Sequence, residues 1–153
     1  MLSLKNFYIC PMAFNKNPKV TTRYIDLYDY VSVNETGNEV HIDMHDGPNK
    51  KHQSPTELLL SAIASCSAVD VAEILKKRKK TFTEFSVEVR GTRREEHPRA
   101  FTHIELEFII HSNDVKESEL LKNATMVVEK YCSVATTVSA AAALTVKARI
   151  LPV

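Results

Sequence analysis

A chain of 153 residues suits one domain, long enough to bury a core that needs no disulfide staples. Its 20 Lys and Arg against 19 Asp and Glu leave a net charge of +1, so no overall excess points to nucleic acid or to a charged surface as partner. Residues 1–20, broken by Pro11 and Pro18, hold no continuous apolar run of the secretory kind; three cysteines in such a chain read as reduced thiols of a cytoplasmic protein.

In chain order, the first 18 residues, which include Cys10, read as an extended lead-in to a single domain spanning the whole sequence. Val20, Thr22, Tyr24 and Ile25 predict a strand from Lys19 to Leu27. Tyr30, Val31 and Val33 begin a second strand and Val40 and Ile42 a third, joined by a hairpin turn at Asn34–Asn38 that carries Gly37. A polar loop, Asp46–Gln53, leads to three helix-start signals together. Ser54 can cap, Pro55 suits the first helical position, and Glu57 can return a bond to the cap backbone. The helix is expected to run to about Lys79. Its stretch Leu58–Leu75 is almost long enough to cross a bilayer, but Asp70 and Glu73 would each be costly at that depth, so a helix of a soluble core or interface is expected. The cations Lys76–Lys80 complement the dipole at its C-terminus.

Beyond it, Phe85, Val87 and Val89 alternate with polar residues as in a half-buried strand. After a charged bend, Arg93–Arg99, the run Phe101–His111 alternates again, with Ile104, Leu106, Phe108 and Ile110 on one side. A helix over Val115–Tyr131, a short helix over Ser133–Ala143 and a strand over Leu144–Leu151 complete the chain. The order predicts an α+β domain with helices packed on antiparallel sheet.

The thiols hold the chemistry of interest. Cys66 lies about three turns into the first long helix, and Cys132 lies where the second helix gives way to the third. They are too far apart in the chain for a Cys-x-x-Cys motif, and no further Cys or His stands at ligand spacing beside either, so no metal site is expected. On the residues alone, both also fit small buried apolar groups, the commonest role of an isolated intracellular cysteine.

Two segments carry a family resemblance. Ser54-Pro-Thr-Glu-Leu-Leu-Leu-Ser-Ala-Ile-Ala-Ser-Cys66-Ser resembles the cysteine helix of OsmC and Ohr proteins, and Glu129-Lys-Tyr-Cys132-Ser-Val resembles their second cysteine motif. The element order over residues 19–153 is similar too, and Arg93-Arg-Glu-Glu-His-Pro-Arg-Ala-Phe-Thr-His-Ile looks most like the YhfA-like branch. The resemblance implies an OsmC-like fold with a long central cysteine-bearing helix, assembled as an intertwined homodimer. It further implies a thiol peroxidase that reduces organic hydroperoxides through Cys66 and Cys132. Such an enzyme draws electrons from an external dithiol and needs no metal or organic cofactor, nucleic acid or membrane.

The same resemblance asks for an activating arginine held by a carboxylate, because a mid-helix thiol in apolar surroundings needs a nearby cation to ionise. The glycine-rich turn that carries this arginine in Ohr proteins is missing here, where Tyr28-Asp29-Tyr30 stands near its place. The carboxylate position falls on Thr56, with Glu57 next to it. Arg23, Arg94 and Arg99 are the candidate activators, with Glu57 the candidate carboxylate. The alternative is an OsmC-like redox sensor or small-molecule binder without efficient peroxidase activity.

Overall fold

The computed structural model describes residues 15–153. Cys10 and most of the expected lead-in lie outside the described residues. The described residues group into two compact units, one of residues 15–59 and one of residues 60–153.

In the first unit, β1 (Val20–Asp26), β2 (Asp29–Asn34) and β3 (Glu39–Asp43) form an antiparallel sheet in sequence order. The expected turn joins β2 to β3. Asn34 Oδ1 accepts from the amides of Thr36 at 3.0 Å and Asn38 at 2.9 Å, and Gly37 takes φ +83°, a conformation costly for a side chain. All of β1 is exposed, including Val20, Tyr24 and Ile25. The polar loop after β3 contains a single 3-10 turn, Gly47–Asn49, and Gln53 makes a parallel bridge to Ile42.

The long helix α1 (Pro55–Lys77) starts as the sequence predicts. The Ser54 amide donates to Glu57 Oε2 at 2.8 Å, and the Glu57 amide reaches back to Ser54 Oγ at 3.4 Å, which completes a capping box. The helix ends two residues short of the expected Lys79 because Lys79 turns left-handed at φ 59°. The Lys80 amide then reaches the Leu75 carbonyl at 3.0 Å and the Lys79 amide the Lys76 carbonyl at 2.9 Å, the paired bonds of a Schellman motif. The terminal cations pair within the chain: Lys77 with Glu73, and Arg78 and Lys80 with Glu119.

In the second unit, β4 (Glu84–Arg93), β5 (Phe101–His111) and β6 (Ala143–Leu151) form one sheet, with α2 (Glu117–Lys130) and α3 (Ser133–Ser139) between β5 and β6. Here the expectation of wholly antiparallel sheets needs correction, since β5 and β6 run parallel. The reason is the connection. Two helices between the strands return the chain to the starting end of the sheet, the crossover that parallel neighbours require.

The core of this unit joins Ile63, Val71 and Leu75 of α1 to Ile104, Leu106, Phe108 and Ile110 of β5 and to Leu120, Ala124 and Val127 of α2. Each large apolar side chain so buried contributes about 1.5–3 kcal/mol. This packing fixes the faces of α1 and α2 and thereby aims the residues that follow them.

Candidate functional site

Cys66 sits three residues after the buried Ile63 and one before the buried Ser67, and is itself half-buried. Ser67 turns its hydroxyl back onto the helix, donating to the Ile63 carbonyl at 2.7 Å, so it offers the site no free donor. Asp70, one turn further along, is also buried.

Cys132 is set by a sharp local break. The amides of Tyr131 and Cys132 both donate to the Val127 carbonyl at 2.9 Å, after which Cys132 takes the extended angles φ −71°, ψ 108° and opens α3. Its Sγ caps that helix by accepting from the Ala135 amide at 3.3 Å. A sulfur therefore stands where Ser, Thr, Asp or Asn would normally cap. The residue is 0% exposed and belongs to the core cluster.

The fold packs Cys66 against the core cluster that contains Cys132, close enough for Cys66 to influence the Cys132 thiol. Burial first, then the neighbouring Cys66, pushes the Cys132 thiol up to about 12, against the opposing pull of the Ala135 and Val134 amides. At neutral pH Cys132 therefore keeps its proton. Two sulfurs in this relation can exchange a proton or, on losing two electrons, share a bond.

Each candidate activator has a partner in its own local structure. Arg23, on β1, pairs with Glu39 at 3.3 Å. Arg94 and Arg99 close the bend between β4 and β5, Arg94 Nε donating to the Pro98 carbonyl and Arg99 Nε to that of Glu95 at 3.3 Å. Glu57 serves the capping box and also receives Lys50, and these contacts hold its carboxyl down at about 2, Lys50 contributing most.

The sequence reading missed a second polar centre. Asp43, almost wholly buried, accepts from the amides of His45 at 2.7 Å, Lys51 at 2.6 Å and His52 at 3.4 Å, and meets His45 Nδ1 at 2.9 Å. These donors, that of Lys51 foremost, hold its carboxyl far below the ordinary range. Asp29, Asp43 and His45 bring three ligand-type atoms within 4.8 Å of one another. The lone pairs of Asp43 are already committed to the loop, which accounts for this cluster as loop architecture. A cavity of about 600 Å³ lies between α2, α3 and β6. Glu129 and Thr145 line it, as does Thr136, whose hydroxyl donates to the Cys132 carbonyl at 3.1 Å.

With this fold and thiol pair described, the comparisons agree on a class. Residues 47–147 match the OsmC-like protein family, and the chain belongs to it. It is 35% identical over 113 residues to Protein YhfA of Escherichia coli K12, covering 74% of this chain and 83% of that protein. The crystal structure of a hypothetical protein from Aquifex aeolicus VF5 superposes with a TM-score of 0.78 at 28% identity, covering 91% of this chain and 99% of that one. The organic hydroperoxide resistance protein OhrB of Bacillus subtilis shares the fold at a TM-score of 0.58 and 15% identity, over 86% of this chain and 97% of its own.

Proposed function

We propose that this protein is a cytoplasmic, homodimeric thiol peroxidase that reduces organic hydroperoxides. The observation that carries the reading is that a half-buried Cys66 packs against the same core cluster as a buried, proton-bearing Cys132. The Cys66 thiolate attacks the terminal peroxide oxygen, releasing an alcohol and leaving a sulfenic acid. Cys132 condenses with it, expelling water and forming the disulfide, which an external dithiol reduces. One of Arg23, Arg94 or Arg99 supplies the cation that favours the thiolate, with Glu57 as its carboxylate. The cycle calls for no metal, organic cofactor, nucleic acid or membrane. The apolar run around Cys66 favours an organic peroxide over an aqueous one.

The test is consumption of cumene hydroperoxide with excess dithiothreitol. Wild type should consume it well above the dithiol alone, and Cys66→Ser should lose the activity. Cys132→Ser should complete one oxidation and then stall or over-oxidise. Activity no greater than the dithiol background sinks the enzyme reading. The local partners of all three arginines favour a second reading, a redox sensor or small-molecule binder of the same fold. A protein that forms the disulfide once but does not turn over supports that alternative.

A further inference from the structure

The cavity of about 600 Å³ between α2, α3 and β6 falls within the size range of small-molecule sites, roughly 300–1,000 Å³. No residue of α1 or of the first sheet lines it, and neither Cys66 nor Cys132 forms part of its wall. Val128 of α2 and Leu144 and Val146 of β6 give it an apolar side. Its polar side accepts hydrogen bonds and scarcely donates them. Thr136 donates its hydroxyl proton to the Cys132 carbonyl at 3.1 Å, and Ser139 donates its own to the Thr136 carbonyl at 3.0 Å. Both oxygens then have only lone pairs to offer. Thr145 is engaged with His103 Nε2 at 2.9 Å.

Glu129 adds a full negative charge that no cation among the described residues pairs with. The cations of β6 are taken up by β5, Lys147 by Glu105 at 2.6 Å and Arg149 by Glu107 at 3.1 Å. Lys130, the basic residue in the last turn of α2, does not line the cavity. Val128 and Glu129 stand in that same turn, at the negative end of the helix dipole. The turn is also broken there. The Val127 carbonyl takes the amides of both Tyr131 and Cys132, so the Val128 carbonyl lacks the amide that a continuing helix would give it.

We propose that this cavity binds a small organic cation, a protonated amine on a compact apolar body. The ammonium lies at Glu129 and the body lies against Leu144 and Val146. An ammonium brings donors and no lone pair, the complement of what the polar side presents. A neutral alcohol leaves the charge of Glu129 unanswered, and a carboxylate is repelled by it. A bare metal ion fits poorly, because hard cations take about six oxygen ligands and only one carboxylate is present in a space of this size. The site uses neither thiol, so it stands whether or not the protein reduces peroxides.

The experiment titrates benzylamine into the isotope-labelled full chain and follows the amide NMR spectrum. Benzyl alcohol and benzoate serve as neutral and anionic controls of similar shape. Benzylamine should shift amides within residues 125–129, 136–139 and 143–146 and saturate at millimolar concentration. Benzyl alcohol should bind about fivefold or more weakly, and benzoate should not saturate. Glu129→Gln, at an exposed position, should weaken benzylamine by about fivefold or more. Ser139→Lys, also at an exposed position, supplies the cation from α3 itself and should abolish binding. In both variants the amides away from the cavity report whether the fold is intact. Should a variant fail to fold, the comparison of the three probes on wild type decides alone. No saturable shift at these amides, shifts confined to other surfaces, equal affinity for amine and alcohol, or a folded Glu129→Gln protein that binds as well as wild type overturns the proposal.

Discussion

At Cys132, burial does two things to one sulfur: it keeps the proton on and keeps solvent off. The folded thiol ionises at about 12 against an ordinary 9.0, so the unfolded chain loses this proton first as pH rises. The stability linked to this group is therefore fully present below about pH 9 and falls between 9 and 12. Urea unfolding across that range should show a steeper alkaline loss for wild type than for Cys132→Ser, and equal slopes would contradict the assignment. Glu57 illustrates the opposite sign. Its carboxyl is held at about 2 by Lys50 and Ser54, so its contribution is lost as pH falls from about 4.5 toward 2. The Ser54–Glu57 box was legible because both partners lie within four residues, whereas Lys50 is a loop residue whose reach no local pattern reveals. Ser54→Ala should cost about 1 kcal/mol in urea unfolding. Asp43 was illegible for the same reason, because its partners are amides of the following loop.

At the scale of elements, the sequence pattern located the strands and α-helices of the described residues, but two features needed three dimensions. Strand alternation is the same in parallel and antiparallel ladders, so nothing within Ala143–Leu151 announces that β6 runs beside β5 in the same direction. The end of α1 was misjudged because the left-handed position that stops it is filled by Lys79, where glycine is the usual signal. A side chain in that conformation costs roughly 1–2 kcal/mol, partly offset by the entropy glycine would add to the unfolded chain. Lys79→Gly should thus raise stability by about 0.5–1 kcal/mol, and a loss on thermal unfolding would show that the Lys79 side chain matters more than its backbone. Gly91 on β4 shows the reverse constraint. A Cβ there would collide with the edge of the Phe101 ring, so the ring uses the space the glycine leaves. Gly91→Ala should destabilise by about 1–3 kcal/mol, and less in a Phe101→Ala background, where the ring is gone.

For the whole molecule, the distribution of apolar surface is the informative quantity. A sheet in a soluble protein normally covers one face, yet β1 is exposed along its full length, with Ile25 59% exposed. Much of α1 is likewise only half-buried despite being apolar nearly all round. Sequence showed that α1 belonged in a core or an interface, but not how much of it one chain would leave open. The proposed homodimer accounts for this surplus by covering apolar groups that a single chain leaves in water. Ile25→Lys separates the two cases. On an isolated chain, a change at so exposed a position should alter stability by no more than about 0.5 kcal/mol. In a dimer that buries this strand, the new charge must be desolvated or the interface abandoned, a loss of about 2 kcal/mol or more of association energy. Wild type should then sediment as a dimer at micromolar concentration, with a melting temperature that rises with concentration, and Ile25→Lys should shift toward monomer. A wild type that is monomeric and folded rejects the dimer, whereas a dimer indifferent to Ile25→Lys would move its interface away from β1.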